Sequence, residues 1–158
     1  MEDKIIKNFN KNRILEIQQN RDPFLMIDFA EKIIPGKLAN GYKKLKVDEW
    51  FFKVHWPGDP NMPGLLQIEA LVQMSALSIL TLPNNKGKAM YLSNADDLVF
   101  KKKIVPGDLL NIETNVISWS RGIGKFEGIG KVDNEIACKA KFNLILPDEF
   151  NKYVIKKK

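Results

Sequence analysis

The sequence is poor in the residues that build disulfide scaffolds, zinc sites and nucleic-acid contacts. Its 158 residues include one cysteine, Cys138, and one histidine, His55, which excludes an internal disulfide and the usual zinc-ligand spacings. Arginine is also scarce, because only Arg13, Arg21 and Arg121 accompany the many lysines. Guanidinium forks carry much of nucleic-acid recognition, so the formal charge of +6 indicates a solvated, lysine-rich surface rather than a nucleic-acid-binding domain.

The sequence also lacks a segment suited to secretion or to a membrane span. Residues 1–12 have only scattered apolar side chains, whereas a secretory signal needs a continuous apolar run, so we expect a cytoplasmic protein. Residues 65–82 are apolar enough to suggest a span, but Gln67, Glu69 and Gln73 interrupt them and no basic flank adjoins them. The stretch is predicted to be the buried central helix of a soluble domain, with no membrane span.

The composition is that of one globular domain. Hydrophobic residues make up 44% of the chain and charged residues 28%, which excludes a disordered or fibrous protein. At roughly 150 residues per domain, the length leaves no room for a second one. We therefore predict a single domain over residues 1–158, with residues 1–12 as an N-terminal extension and residues 147–158 as a basic C-terminal tail.

Outside the apolar stretch, the residue pattern is mostly typical of β-strands. Residues 13–19 are predicted as a short amphipathic helix that ends before Pro23. Residues 24–34 and 43–47 are predicted to pair as a first hairpin around the turn residues Pro35-Gly36. Later extended runs are predicted to form a meander, with Asp133-Asn134 as a two-residue hairpin loop; these runs are residues 89–100, 108–119, 123–132 and 135–146.

Two of these strands carry small residues that need an explanation. The glycine-rich run at residues 121–130 does not fit a phosphate-binding loop, because Gly124-Lys125 is followed by Phe126 rather than serine or threonine and no helix follows. Its alternate glycines leave one strand face nearly bare, so either the central helix or a bound ligand arm can approach the backbone. In the last strand, Cys138 falls on the apolar face and is predicted to be a buried small hydrophobe.

One region combines side chains suited to acid–base chemistry. His55 lies in a loop shaped by Pro57, Gly58 and Pro63, whose prolines stiffen it, and an imidazole there can accept a proton near neutral pH. On its own, a lone histidine is more often structural than catalytic. A buried glutamic acid such as Glu69 can equally be satisfied by backbone groups or by water.

The start of the predicted central helix adds an acid and an anion site. Burial of Glu69 would raise the pKa of its carboxyl group and favour the protonated form, which can donate a proton. Gln73 is four residues further on, on the same helix face, where it can orient that group. Pro63 and Gly64 open the helix, and free amides there would stabilise a thioester oxygen that becomes negative. Together with His55, these groups indicate removal of a proton next to a carbonyl and loss of a hydroxyl as water.

At this point the residues match a known pattern. The string at residues 51–73 resembles the signature of the FabZ-type β-hydroxyacyl-acyl-carrier-protein dehydratases. That signature runs Phe-Phe-x-Gly-His-Phe-Pro-Gly-x-Pro-x-Met-Pro-Gly and continues through a Glu-Ala-Leu-x-Gln helix. The resemblance extends over nearly the whole chain, through residues 21–25, 105–109 and 121–125.

The resemblance implies an α+β hot-dog fold and an oligomer. In this fold a curved antiparallel β-sheet wraps around a long central helix, and two chains dimerise through the sheet. Three such dimers commonly form a hexamer. In the family, one active site takes its histidine and its glutamate from different subunits, so His55 would face Glu69 of the partner subunit.

The resemblance also implies the reaction and the partner. His55 would remove the C2 proton of a (3R)-3-hydroxyacyl thioester, the amide of Gly64, beside Leu65, would bind the thioester oxygen, and Glu69 would protonate the departing 3-hydroxyl. No metal or dissociable cofactor is implied, because a phosphopantetheine arm delivers the substrate from an acidic acyl carrier protein. The lysines at positions 101–103 suit that partner electrostatically.

The chain departs from the family pattern at a few positions. Val54 replaces the glycine before the histidine, and a β-branched residue forbids most positive-φ conformations and adds bulk, so His55 could be displaced. Trp56 replaces a phenylalanine, and Asn20 and Asp22 replace a histidine and a tyrosine that flank an arginine. These changes favour a divergent member in a specialised lipid, polyketide or sugar-acyl pathway. They leave open a non-catalytic or thioesterase-type hot-dog protein that binds acyl-carrier-protein thioesters.

Overall fold

A long apolar helix forms the centre of the molecule. In the computed structural model, which describes residues 4–154, the apolar stretch folds into helix α3 (Gly64–Leu80). From Gln67 to its end, every side chain of this helix except that of Glu69 is buried. The predicted central helix is therefore confirmed. Among residues 4–154, no helix combines the length and the apolar character needed to cross a bilayer.

A seven-stranded antiparallel sheet packs against α3. The strands follow one another across the sheet in the order β1-β2-β3-β5-β6-β7-β4. They are β1 (Ile6–Phe9), β2 (Phe29–Ile34), β3 (Leu38–Lys44), β4 (Tyr91–Phe100), β5 (Leu109–Ser120), β6 (Ile123–Val132) and β7 (Glu135–Ile145). The remaining helices are α1 (Lys11–Ile17), α2 (Trp50–Val54) and α4 (Pro147–Phe150).

Tight turns set the boundaries of the last three strands. Asp133 and Asn134 adopt left-handed φ angles of 51° and 63°, as the predicted two-residue hairpin loop requires. Arg121 and Gly122 do the same between β5 and β6, with φ angles of 51° and 78°. The predicted limits of β5, β6 and β7 are accordingly confirmed to within one residue at each end.

The prediction of a four-strand meander is wrong for β4. This strand pairs with β7, where Tyr91 lies opposite Ile145 and Phe100 opposite Cys138, and it forms one edge of the sheet. The alternating pattern identified the strand, but a residue pattern within a strand carries no information about a distant pairing partner. Strand β5 pairs instead with β3 on its other side.

The N-terminal residues contribute more than the predicted extension. Strand β1 joins the sheet edge beside β2, with Phe9 opposite Ala30. Helix α1 begins two residues earlier than predicted, because the side chain of Asn10 accepts a hydrogen bond from the amide of Arg13 and caps it. The first hairpin is confirmed, but β2 is shorter than predicted, and β3 begins at Leu38 and overlaps the predicted residues 43–47 only at 43 and 44.

The glycines of the sheet make room for the central helix. A Cβ atom at Gly128 would lie only 3.0 Å from the Cβ of Leu71 in α3. At Gly41, a Cβ would collide with the carbonyl oxygen of Phe29 and lie 2.8 Å from the Cε of Met74. The sequence left two candidates for the group that approaches the bare strand face, the central helix and a bound ligand arm. At Gly128, the central helix is the group that lies against the strand.

The C-terminal residues fold back over a hairpin. The amide of Leu146 donates to the carbonyl of Gly122 at 2.8 Å, and the backbone of Phe150 lies where a Cβ of Gly122 would be. Arg121 stacks on the ring of Tyr153. The predicted tail at 147–158 thus begins as a docked segment. Its lysines at 156–158, like residues 1–3 of the predicted extension, lie outside the described residues.

Candidate active site

The short helix α2 positions His55. Its buried residues Phe51 and Phe52 pack in the core, and His55 caps its C-terminus, donating its amide to the carbonyl of Phe51 at 2.8 Å. The Nδ1 atom of His55 lies 3.1 Å from the carbonyl oxygen of Asn61. Because a carbonyl only accepts hydrogen bonds, this contact requires the proton on Nδ1. Nε2 then carries the free lone pair and is the basic nitrogen.

The two neighbours of His55 that depart from the family pattern do not disturb this contact. Val54 is the last residue of α2, so its backbone is helical and no positive φ angle is needed. Its side chain is 67% exposed and points away from the core. Trp56 stacks on the imidazole, with ring centroids 4.7 Å apart and planes 15° from parallel. Val54 therefore does not displace His55 from its hydrogen bond to Asn61.

The loop after His55 is held against the segment between β4 and β5. It turns at Pro57 and Gly58, where the amide of Asp59 donates to the carbonyl of Trp56 at 2.9 Å. The carboxylate of Asp59 forms an ion pair with Lys103. Further along, the amide of Met62 donates to the carbonyl of Ile104 at 2.8 Å. These contacts give the loop a defined conformation, as its prolines predict.

The start of α3 offers free amide groups beside His55. Pro63 accepts hydrogen bonds from the amides of Leu66 and Gln67, whereas the amides of Gly64 and Leu65 find no backbone acceptor within residues 4–154. The ring of Phe100 lies 3.0 Å from the position that a Cβ of Gly64 would take. Free N–H groups at a helix N-terminus attract negative charge.

These groups share one open cavity. It measures about 430 Å³, and its lining includes His55, Trp56, Gly64 and Phe100. The lysines at positions 101–103 also line this cavity. Lys103 pairs with Asp59, and Lys102 lies 3.4 Å from a carboxylate oxygen of Glu135. The side chain of Leu65 is exposed next to this cavity.

A carboxyl group and an amide form a second arrangement on α3. The Nε2 of Gln73 donates to Oε1 of Glu69 at 2.8 Å, so the predicted contact across one helical turn is confirmed. The same amide donates to the carbonyl of Phe24 at 2.9 Å and accepts from the amide of Met26 at 2.8 Å. With its hydrogen bonds all made, Gln73 holds Glu69 in one orientation.

The environment of Glu69 favours the protonated acid. Burial raises the pKa of its carboxyl group above the ordinary 4.5, and the hydrogen bond from Gln73 partly offsets this. Glu69 is only partly buried, because it lines the wall of a cavity of about 270 Å³. That cavity follows the face of α3 past Val72, Ala76 and Leu80.

The structure therefore separates the two predicted acid–base residues. His55 and Gly64 line one cavity at the start of α3, and Glu69 and Gln73 line another. One chain does not bring His55 and Glu69 into a single site. Within the described residues, no group of three or more histidine, cysteine, aspartate and glutamate side chains is placed to hold a metal ion.

Two buried polar contacts were not predicted from the sequence. Lys43 and Glu49 form an ion pair of 2.8 Å with side chains only 4% and 14% exposed, and Gln67 donates to the carbonyl of Met62. The sequence did contain a signal for the ion pair of Lys43 and Glu49. Lys43 falls in register with the inward-facing residues Ala39 and Gly41 of β3, and a lysine on a buried face requires an acidic partner.

Solved structures with similar architecture establish the fold class. The dehydratase heterocomplex ApeI:P from Xenorhabdus doucetiae superposes with a TM-score of 0.72, covering 90% of this chain and 97% of that one at 14% identity. A hypothetical thioesterase protein with coenzyme A from Streptococcus pneumoniae gives a TM-score of 0.56 at 16% identity and covers 74% of this chain and 83% of that one. The molecule is a hot-dog fold protein.

Sequence comparison then gives the family. A model described as the FabA-like domain matches residues 19–141. The 3-hydroxyacyl-[acyl-carrier-protein] dehydratase FabZ of Bacillus licheniformis is 39% identical over 137 residues, which cover 87% of this chain and 95% of that protein. FabZ of Alkaliphilus metalliredigens is 41% identical over 141 residues, with 88% and 96% covered. The chain belongs to the FabA-like family, and these FabZ dehydratases are its relatives.

Proposed function

We propose that the chain dehydrates (3R)-3-hydroxyacyl thioesters of acyl carrier protein to trans-2-enoyl thioesters in fatty-acid or related biosynthesis. The observation that carries this proposal is the hydrogen-bonded pair of Glu69 and Gln73. It supplies a carboxylic acid that keeps its proton at higher pH than an ordinary one, as protonation of a departing hydroxyl requires. Relatives with the same activity in their names are about 40% identical to this chain.

The proposed site is shared between two chains. His55 and Glu69 line different cavities, so a second copy is needed to bring a base to the acid. Strand β4 suits such an assembly, because it is an edge strand and has an unpaired row of backbone groups on its outer side. It also exposes large apolar side chains, namely Tyr91, Leu92, Leu98 and Phe100. We propose that pairing through β4 brings His55 of one chain to Glu69 of the partner subunit.

The reaction begins with removal of a proton. The free lone pair on Nε2 of His55 takes the proton from C2 of the substrate, and the electrons of that C–H bond move toward the thioester carbonyl. The amides of Gly64 and Leu65, at the start of a long helix, stabilise the negative charge that develops on the carbonyl oxygen. Pro63 leaves these two amides accessible, because it is the N-cap of α3.

Loss of water completes the reaction. Glu69 gives its proton to the 3-hydroxyl group, the C3–O bond breaks, and the C2–C3 double bond forms. The proton gained by His55 balances the one lost by Glu69, so a proton transfer through solvent restores both groups. Gln73 keeps the acid aimed at the hydroxyl, because its amide is itself fixed by Phe24 and Met26.

The phosphopantetheine arm of the carrier protein delivers the substrate, so the proposal involves no metal and no dissociable cofactor. An acyl carrier protein is acidic, and the lining of the cavity that contains His55 includes the lysines at positions 101–103. These charges would steer the carrier toward the cavity entrance. A phosphopantetheine arm could then carry the thioester past Trp56 to His55.

Hydration of a crotonyl thioester on acyl carrier protein tests the proposal, since the reverse reaction passes through the same transition state. Loss of the enoyl absorbance should be rapid with the wild type. His55→Ala and Glu69→Gln should each slow it by about 10²-fold or more, the usual contribution of an acid or base. Release of free acid and thiol would instead identify a thioesterase. An inactive but folded wild type would contradict the proposal and indicate a binding role.

A further inference from the structure

We propose that Gln67 is a positioning residue that keeps the proton of His55 on Nδ1. The inference rests on the proposed role of His55 as the base, and it names the group that makes Nε2 the basic nitrogen. Gln67 touches neither reacting atom. It acts through the loop between His55 and α3, and its amide side chain is 4% exposed and lines the same cavity as His55.

The loop reaches His55 through one peptide group. The carbonyl of Asn61 accepts the hydrogen bond from Nδ1, and the N–H of the same planar peptide, which belongs to Met62, donates to Ile104 at 2.8 Å. The next carbonyl, that of Met62, accepts from Nε2 of Gln67 at 3.0 Å. Gln67 therefore holds the carbonyl immediately after the one that contacts His55.

This second contact matters because of Pro63. The peptide group between Met62 and Pro63 has no N–H, so it has no donor through which the backbone could hold it. Its carbonyl, bonded to Gln67, is its one hydrogen-bonding group. Without Gln67, the Met62 carbonyl would be a buried acceptor with no donor, and it would rotate toward water. Rotation there changes the backbone of Met62 and shifts the carbonyl of Asn61.

Gln67 also lowers the stability of the fold. Its Oε1 atom is buried and has no hydrogen-bond donor among residues 4–154. An unpaired buried oxygen lowers stability, so an apolar side chain of the same length would pack at least as well. The Nε2 group of Gln67 therefore holds the loop through the Met62 carbonyl, while the Oε1 atom is left without a hydrogen bond from any of the described residues. Replacing Gln67 by methionine should leave stability nearly unchanged while it releases the loop.

The experiment uses the fact that His55 is the only histidine of the chain. A ¹⁵N–¹H NMR spectrum of the imidazole reports without ambiguity which ring nitrogen carries the proton. It would be recorded above neutral pH for the full-length wild type, Gln67→Met and Gln67→Leu. The matched control is Thr114→Val, which removes another buried side-chain donor to a backbone carbonyl, that of Ala39 at 2.7 Å, in the sheet away from the loop.

The wild type and Thr114→Val should show the proton on Nδ1. Both Gln67 variants should show a substantial population with the proton on Nε2. Their kcat should fall by about 10-fold to 100-fold with KM within about twofold, as misplacement of a catalytic group predicts. A wild-type-like imidazole spectrum in both Gln67 variants, or an equal change in Thr114→Val, would overturn the proposal. The spectrum needs no turnover, so it separates this inference from a failure of the proposed activity.

Discussion

At the scale of single residues, each proposed catalytic group is held by one atom and leaves the other free. His55 uses Nδ1 for the Asn61 carbonyl, and Glu69 uses Oε1 for Gln73. The second of these contacts could be predicted from the sequence, because residues four apart share a helix face. The first could not, since the path of a loop with several prolines depends on contacts such as that of Met62 with Ile104.

The raised pKa of Glu69 predicts that this catalytic acid lowers the stability of the folded protein at neutral and higher pH. An acid whose pKa is raised by folding holds its proton in the folded state when the unfolded chain has already lost it. Stability therefore falls as pH rises from about 4.5 through the folded-state pKa. Glu69→Gln has no charge to bury and can still accept a hydrogen bond from Gln73. It should unfold at a higher temperature than the wild type near pH 8.

The same comparison near pH 4, where Glu69 is mostly protonated in both states, should show a much smaller difference between the two proteins. Thermal unfolding followed by circular dichroism at both pH values measures this. An advantage of Glu69→Gln that is the same at pH 4 and pH 8 would contradict the assigned cause.

At the scale of elements, a buried ion pair joins strand β3 to the helix that ends at His55. Lys43 lies on β3, and Glu49 is the N-cap of α2. Breaking such a pair leaves one charge buried without a partner, so Lys43→Met should lower the free energy of unfolding by roughly 3 kcal/mol. The double variant Lys43→Met with Glu49→Gln should lose less, because it leaves no buried charge.

Chemical denaturation with urea measures these differences. The chain provides a control in Lys131 and Glu113, which lie 2.7 Å apart on the exposed face with side chains 30% and 47% exposed. Lys131→Met should cost about 1 kcal/mol or less. If the double variant were as unstable as the sum of its single changes, the two charges would not be coupled.

The elements that could be predicted are those whose signals are local. Helix α3 follows from its apolar length, and β5, β6 and β7 follow from alternation between tight turns. Strand β1 could not be predicted, because four residues with polar side chains in the middle do not stand out from a loop. The position of β4 depends on a partner far along the chain, which no local pattern specifies.

At the scale of the whole molecule, the proposed shared site predicts complementation between two inactive variants. His55→Ala and Glu69→Gln chains that are unfolded and refolded together should form mixed dimers in half of all cases. In each mixed dimer, one of the two sites has an intact His55 and an intact Glu69. Activity should therefore return to about a quarter of the wild-type value.

Hydration of the crotonyl thioester before and after co-refolding measures this recovery. Each variant refolded alone is the control and should stay inactive. If both residues of a site came from one chain, every site in the mixture would contain one substitution, and no activity would return.

The strand order has a consequence for the time course of folding. Two-residue turns join β5, β6 and β7, so these strands can pair early through short loops. Strand β4 precedes all three in the chain, but its partner in the sheet is β7, where Phe100 lies opposite Cys138. It can therefore join the sheet only after β7 has formed. Strand β4 is therefore expected to join the sheet after β5, β6 and β7 have paired with one another. The edge through which we propose that a second copy pairs would thus form after β5, β6 and β7, so assembly of the proposed dimer would follow the pairing of these three strands.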